Sequence, residues 1–119
     1  MGPGVWNPKL PFPGAKVYFG RHVKRWNTEP DRWGSAFAYA SLQVLEQAVE
    51  MAGTLDRAKI RGVIAKEKFS TVVGPVKFEG GFNIYSPGEI GQWQKGEFEI
   101  VASKEKRTAA PIFPKPAWP

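Results

Sequence analysis

The sequence predicts an α/β fold in which about three helices are followed by short strands and a C-terminal β-hairpin. Apolar residues recur at helical spacing from Gly14 to about Lys66, whereas beyond Phe69 they alternate as in strands. A Lys95-Gly96 pair separates the last two alternating runs. Such a pair can adopt the positive φ angles of a tight hairpin turn. The helices therefore precede the strands along the chain.

Composition indicates one globular domain. The 119 residues are 42% hydrophobic and 24% charged, and this length suffices for one modest core. Cysteine is absent, which excludes disulfides, thiolate metal sites and a cysteine nucleophile. No run of 18 apolar residues occurs, so no membrane-spanning helix is expected. The start, Met1-Gly2-Pro3-Gly4, lacks the basic and apolar regions of a secretory signal peptide.

An extended loop is expected at residues 1–13, because Pro8, Pro11 and Pro13 cannot donate backbone hydrogen bonds. A helical region follows at residues 14–68. Its first helix begins near Gly14 and should end near Asn27. The outward positions of this helix are basic: Lys16, Arg21, Lys24 and Arg25.

The second helix is the clearest in the sequence. It runs from Ser35 to Ala52, with Asp31 as a candidate N-cap and Gly53 as the residue that ends it. Its predicted inward face is broad and contains small side chains, which indicates close packing. The residues of this predicted face are Phe37, Ala38, Ser41, Leu45, Ala48, Val49 and Ala52.

A third helix is expected from about Arg57 to Lys66, capped by Thr54 or Asp56. Its inward residues would be Ile60, Val63 and Ile64.

Strands and a hairpin are expected over residues 69–102, and a proline-rich extended tail over residues 103–119. The first short strands are predicted at residues 70–73, 76–78 and 82–85, with Gly80-Gly81 as a turn. The hairpin joins residues 90–94 to residues 97–101.

Three stretches, in order, resemble the end of the branched-chain amino acid (Leu/Ile/Val-type) binding proteins of ABC transporters. The first is Phe37-Ala-Tyr-Ala-Ser-Leu-Gln-Val-Leu-Glu-Gln-Ala-Val-Glu, followed by Ala52-Gly-Thr-Leu-Asp-Arg. The second is Gly74-Pro-Val-Lys-Phe. The third is Gly91-Gln-Trp-Gln-Lys-Gly-Glu-Phe, with a closing Pro111-Ile-Phe-Pro-Lys-Pro-Ala-Trp. The resemblance extends over nearly the whole chain, from about Gly2.

This resemblance implies a partial type I periplasmic-binding fold, with residues 1–119 as the C-terminal fragment of a two-lobed solute-binding protein. Family members trap a small ligand in the cleft between two α/β lobes, which close by hinge motion. The implied partners are a small amino acid or amide-like ligand in full-length relatives and an ABC permease. The implied location is periplasmic or extracytoplasmic. Neither a cofactor nor a metal is expected.

The resemblance also implies ligand contacts for Trp33 and Tyr39, because the matching region of the family faces the cleft at the start of the long helix. The resemblance implies a ligand contact less strongly for Trp6, which lies in the segment that resembles the edge of the cleft. Aromatic rings add apolar contact area at little conformational cost, which suits an aliphatic or aromatic ligand. All three residues also fit a packing role, which is the common one for aromatic side chains.

Two other functions remain open from the sequence. Helices whose apolar faces lack covering strands could pair with a second copy, giving a truncated stand-alone module that self-associates without binding ligand. The basic first helix, near Trp26 and Trp33, could bind nucleic acid. Glu29 and Asp31 interrupt that charge, which favours a solvated helix face, and no nucleic-acid partner is expected.

Nothing in the sequence favours an enzyme. His22 is the only histidine and is expected to be a solvated surface residue, because one imidazole without cysteine cannot form a zinc site. The carboxylates show no pairing typical of acid and base catalysis. The residues considered were Glu46, Glu50, Glu97 and Glu99.

Overall fold

A computed structural model describes residues 2–3, 6–85, 89–103 and 105–114 of the chain. Its helices are α1 (Ala15–Trp26), α2 (Gly34–Ala52) and α3 (Arg57–Lys66). The strands are β1 (Gly2–Pro3), β2 (Phe69–Thr71), β3 (Gly74–Val76), β4 (Phe78–Glu79), β5 (Phe82–Asn83), β6 (Ile90–Gln94) and β7 (Glu97–Ala102). The predicted order of three helices, short strands and a hairpin is confirmed. None of the helices in these ranges is both long and apolar enough to cross a bilayer.

Both α1 and α3 have the predicted bounds. At the end of α1, the N–H of Asn27 donates to the carbonyl of Val23, which closes the last turn. At the start of α3, the Asp56 carboxylate accepts a hydrogen bond from the Lys59 N–H at 2.9 Å. This contact satisfies a backbone donor that has no partner within the helix. The predicted inward residues of α3 do pack against the core; they are Ile60, Val63 and Ile64.

The predicted inward face of α2 is wrong except at Ala48, which is buried, and at Phe37, which packs partly buried against the core. The buried residues are Ala36, Ala40, Val44 and Ala48, of which only Ala48 belonged to that face. Leu45 was expected to be inside but is 47% exposed, and Ala38 and Ser41 are exposed as well. The reason is that apolar residues extend over most of α2 and only the side of Gln43, Glu46, Gln47 and Glu50 is mainly polar, so the periodicity leaves open which part of the apolar surface is inside.

The core has two parts. The first joins the N-terminal loop, α1, α2 and the hairpin, and its largest fully buried side chain is Trp6. Its other buried members are Leu10, Ala15, Tyr18, Ala36, Ala40, Val72, Val73 and Ile100. The second lies between α2, α3 and β2–β3, around Phe69 and Val76. The side-chain amides of Gln43 and Gln47 bind the backbone of Val72 and Ser70, which fixes α2 on β2.

The strands form three small antiparallel sheets: β1-β6-β7, β2-β3 and β4-β5. Within the hairpin, Lys95 and Gly96 both have positive φ angles, 51° and 83°, which confirms the predicted turn. Before the hairpin, four short strands replace the three that were predicted, because the predicted strand 76–78 is divided between the end of β3 and the start of β4. The predicted strands 70–73 and 82–85 are shortened to β2 and β5, and β1 was not predicted. Asn7, in the N-terminal loop, binds the hairpin by donating to the Phe98 carbonyl at 2.6 Å.

The segment after β7 packs back on the hairpin. The Thr108 N–H donates to the Ile100 carbonyl at 2.9 Å, and the Ile100 N–H donates to the Thr108 hydroxyl at 2.8 Å. The expected extended tail is therefore bound to the hairpin over residues 105–114. Val5 of the expected loop, Lys104, and residues 115–119 of the tail lie outside the described residues.

Candidate ligand-binding site

Three aromatic side chains form a row that runs from the core to the surface. The rings of Trp6 and Tyr18 meet edge to face with centroids 5.6 Å apart. The rings of Tyr18 and Tyr39 lie 4.6 Å apart at an interplanar angle of 32°. Such pairs stabilise beyond the area that they bury. This aromatic row thus connects Trp6 and Tyr39, two of the residues expected at the site.

Trp6 forms the inner end of the aromatic row. Its side chain is 0% exposed, and its indole N–H donates to the Val72 carbonyl at 2.8 Å. Within the described residues Trp6 thus offers no free surface. Its contribution to a site would act through the position of Tyr18, and a direct ligand contact stays a prediction.

Tyr39 forms the outer end of the aromatic row, on the first turns of α2, and is 38% exposed. Tyr18, between the two, is buried, and this burial raises the pKa of its hydroxyl. Tyr18 was not among the residues expected at the site. No spacing in the sequence linked it to Tyr39.

Trp33 lies at the N-terminus of α2 and is 52% exposed. The ring pairs of the described residues do not include it. Trp33 precedes α2 as its N-cap, whereas Tyr39 lies within the helix, six positions further along the chain. The structure places both residues near the start of α2 but does not bring their rings together.

Asp31 binds the start of α2, but it is not the N-cap that the sequence predicted, since the N-cap is Trp33. Its carboxylate accepts hydrogen bonds from the N–H groups of Gly34 and Ser35, the latter at 3.3 Å. The bond from Gly34 is the main cause that lowers the pKa of Asp31. Because Asp31 fixes the first turn, it also fixes the direction of the chain at Trp33.

A cavity of about 560 Å³ lies beside the segment that leads into α2. Its wall includes Arg32, whose guanidinium lies 5.6 Å from the Phe98 ring centroid and 2.9 Å from the Glu29 carboxylate. The other lining residues are Asn7, Pro8, Lys9, Phe19, Trp93, Gly96 and Glu97. Aromatic rings and paired charges alternate around it, a mixture that the sequence did not bring together.

The charges on the hairpin side of this cavity pair with one another. The Lys9 ammonium lies between the carboxylates of Glu97 and Glu99. Glu99 is mostly buried and also accepts a hydrogen bond from the Thr108 hydroxyl at 2.5 Å. Burial opposes ionisation of Glu99, but the bonds from Lys9 and Thr108 prevail and lower its pKa. This cluster fixes the hairpin to the N-terminal loop.

His22 is partly exposed on α1. Its Nδ1 lies 3.1 Å from the Thr28 carbonyl, and its ring lies 6.1 Å from the Tyr18 ring. Among the described residues no group of three or more His, Cys, Asp or Glu side chains has the arrangement of a metal site. The side chains at the start of α2 can therefore supply apolar contact, hydrogen bonds and charge.

Comparison with known proteins identifies a family and a solved structure with a similar fold. The family model of a periplasmic binding protein domain matches residues 18–117. The structure superposes on the leucine-binding protein LivK of Thermotoga maritima with a TM-score of 0.67 and 23% sequence identity. The superposition covers 84% of this chain and 29% of that one. This chain thus spans less than a third of the length of that protein, and at this identity the likeness shows the fold: a partial periplasmic-binding architecture, as predicted.

Proposed function

Because the chain belongs to the periplasmic binding protein domain family, we propose that it is the C-terminal part of the solute-binding component of an ABC importer. The proposed ligand is a branched-chain amino acid or a similar small molecule, and the proposed destination of that ligand is a membrane permease. The proposed location is the periplasm or another extracytoplasmic space. Binding without chemistry is the proposed activity, so the chain is not an enzyme.

The observation that carries this proposal is a second apolar stripe on α2. Ala38, Leu42, Leu45 and Val49 follow one another at helical spacing, on the side away from the buried residues. Leu42 is 64% exposed. We call these four residues the outer stripe of α2. An exposed apolar stripe on a helix is normally covered by a neighbouring element, which supports a larger protein around α2.

The proposed ligand contacts are the exposed rings at the start of α2. Trp33 and Tyr39 offer apolar area for the ligand side chain. We propose that one of these rings faces the ligand and the other the opposing lobe when the cleft closes. Trp6 supports Tyr39 through Tyr18 in the aromatic row. The ligand's amino and carboxylate groups would be held mostly by segments that precede the matching part in family members, as the family resemblance implies.

The proposed mechanism is a shift between open and closed lobes. A ligand that contacts both lobes binds the closed form more tightly, so it moves the equilibrium toward closure. The binding free energy available for this shift is the difference between the two affinities.

Calorimetric titration of the chain with leucine, valine and phenylalanine tests the proposal. We expect saturable heat that weakens in Trp33→Ala and in Tyr39→Ala. Trp26→Ala is the matched control, because Trp26 is an exposed tryptophan outside the proposed site. No saturable heat with any of the three amino acids, or an equal loss in the control, would contradict ligand binding by this chain.

The outer stripe of α2 also favours a second function, self-association without ligand binding. Two copies of the chain could pack the outer stripe of one α2 against that of the other, which would bury both stripes. Light scattering over a range of concentrations separates the two functions. A dimer that dissociates in Leu42→Gln/Leu45→Gln, together with no heat on titration, would favour this second function.

A further inference from the structure

The charges on α1 are all positive. Over Ala15–Trp26 the helix contains Lys16, Arg21, Lys24 and Arg25 and neither Asp nor Glu. All four side chains are exposed. Three of them, Arg21, Lys24 and Arg25, lie within about 100° around the helix axis. By helical geometry Lys24 lies opposite the buried Ala15, whereas Arg25 lies on the side of the buried Tyr18. We call Arg21, Lys24 and Arg25 the basic face of α1.

No carboxylate within the described residues neutralises this basic face. Within the described residues the cations that form ion pairs all lie outside α1: Lys9, Arg32, Lys77 and Lys106. Glu29 follows α1 closely in sequence, but its carboxylate binds Arg32 at 2.9 Å. Asp31 accepts from the backbone of α2 instead. The two acidic residues that interrupt the basic segment in sequence are thus engaged elsewhere.

An exposed tryptophan borders the basic face of α1. Trp26 is 63% exposed, and the Arg25 guanidinium lies 5.5 Å from its ring centroid. Indole rings favour the region between lipid headgroups and hydrocarbon, because one part of the ring is apolar and the other donates a hydrogen bond. The helix dipole explains basic residues in the last turn, but it explains neither Arg21 nor an exposed tryptophan.

The third helix provides a contrast. It also has four basic residues, Arg57, Lys59, Arg61 and Lys66, and no acidic one. By helical geometry these lie on two separate flanks of the stripe that contains Ile60 and Val63. It contains no aromatic residue. Net charge alone therefore does not distinguish α1 from α3. Two features do: three cations of α1 lie close together, and an exposed tryptophan, Trp26, lies beside them.

We propose that the basic face of α1, together with Trp26, docks on a membrane surface that carries anionic lipid headgroups. Clustered Lys and Arg on an amphipathic helix bind such surfaces with about a fivefold gain per cation. Three cations and one indole give weak, reversible binding that salt screens. This inference goes beyond the proposed function, since it concerns neither the ligand nor the lobes; a component of an importer would simply work beside a membrane.

Vesicle sedimentation tests the proposal. The chain is mixed at low salt with vesicles of phosphatidylcholine and phosphatidylglycerol, or of phosphatidylcholine alone. The test variant is Arg21→Gln/Lys24→Gln/Arg25→Gln, and the matched control is Arg57→Gln/Lys59→Gln/Arg61→Gln. Each removes three positive charges and introduces a good helix former. Circular dichroism checks both folds, and the single variants Lys24→Gln and Lys59→Gln repeat the comparison with the least disturbance.

We expect binding to the anionic vesicles only, with a loss on the order of a hundredfold in the α1 variant and a much smaller loss in the α3 control. No binding at low salt would overturn the proposal. Equal losses in both variants would overturn it as well, since they would indicate diffuse charge. Tighter binding to single-stranded RNA than to vesicles, lost in the same α1 variant, would assign the basic face to nucleic acid instead. None of these measurements depends on whether the chain binds an amino acid.

Discussion

Gln92 and Ile112 bind each other twice. The Gln92 side-chain amide donates to the Ile112 carbonyl at 3.0 Å, and its oxygen accepts from the Ile112 N–H at 2.9 Å. Gln94 adds a bond from its amide to the Ala110 carbonyl at 2.8 Å. Side chains of β6 thus take the place that a neighbouring strand would have, and they bind a proline-containing segment that could not complete a regular ladder.

We expect Gln92→Ala to release this segment. Losing both bonds should lower the free energy of unfolding by about 1–3 kcal/mol, since each is a partly buried amide contact. Hydrogen exchange at the Ile112 amide measures the effect directly and should accelerate. Gln94→Ala is the control: it removes the bond to Ala110 and a second bond from the Gln94 amide to the Gln92 side-chain oxygen at 2.7 Å. It keeps both bonds between Gln92 and Ile112 and should leave the Ile112 amide protected. Unchanged exchange at Ile112 in Gln92→Ala would contradict the double bond.

Trp6→Phe should destabilise the chain by about 2–4 kcal/mol. The substitution removes the hydrogen bond to the Val72 carbonyl and leaves a cavity in the larger core. Urea unfolding measures the change. Trp26→Phe is the matched control, because Trp26 is exposed, and should stay within about 0.5 kcal/mol of the unsubstituted chain. Similar losses in both variants would show that Trp6 is not the anchor of the aromatic row.

Adjacent residues of α2 report which face is inside. Val44→Ala should lower the free energy of unfolding by about 1–3 kcal/mol, because Val44 is buried. Leu45→Ala should cost less than about 0.5 kcal/mol at protein concentrations where the chain is monomeric, because Leu45 belongs to the outer stripe. Urea unfolding of the two variants gives the comparison. A larger loss of stability in Leu45→Ala than in Val44→Ala would instead support the inward face that the sequence predicted.

Acid should destabilise the chain in part through Glu99. The pKa of Glu99 is lowered from its ordinary value of 4.5, so its ionised form is favoured by folding. The resulting stability is present above pH 4.5 and is lost as the pH falls through the folded pKa. Urea unfolding between about pH 7 and pH 3 should therefore show a smaller acid loss for Glu99→Gln than for the unsubstituted chain. The same acid loss in both would assign the effect to other carboxylates, such as Asp31.

Local signals in the sequence predicted the ends of elements well. Asp56 and Gly53 mark helix ends through contacts with nearby backbone groups, and Lys95-Gly96 marks a turn through its own φ angles. Each of these helix ends and turns is determined by a few neighbouring residues, so the local sequence is sufficient to predict it.

Long-range contacts were not predictable in the same way. Which part of the apolar surface of α2 is buried depends on the elements that pack against it. Because apolar residues extend over most of this helix, its sequence alone does not determine the buried part. The stacking of Tyr18 on Tyr39 needs the relative position of two helices, which no spacing gives. For the candidate site, the resemblance located the start of α2, but only the structure shows that Trp6 is enclosed while Trp33 and Tyr39 are accessible.

The bond from Asn7 to Phe98 joins residues 91 positions apart. Before it forms, the intervening chain must be held in a closed loop, and closing a longer loop costs more entropy. The three helices and the hairpin can each begin to form from local contacts, whereas the attachment of the N-terminal loop to the hairpin cannot. We therefore expect this attachment to be among the last steps of folding and among the first to be lost when the chain opens.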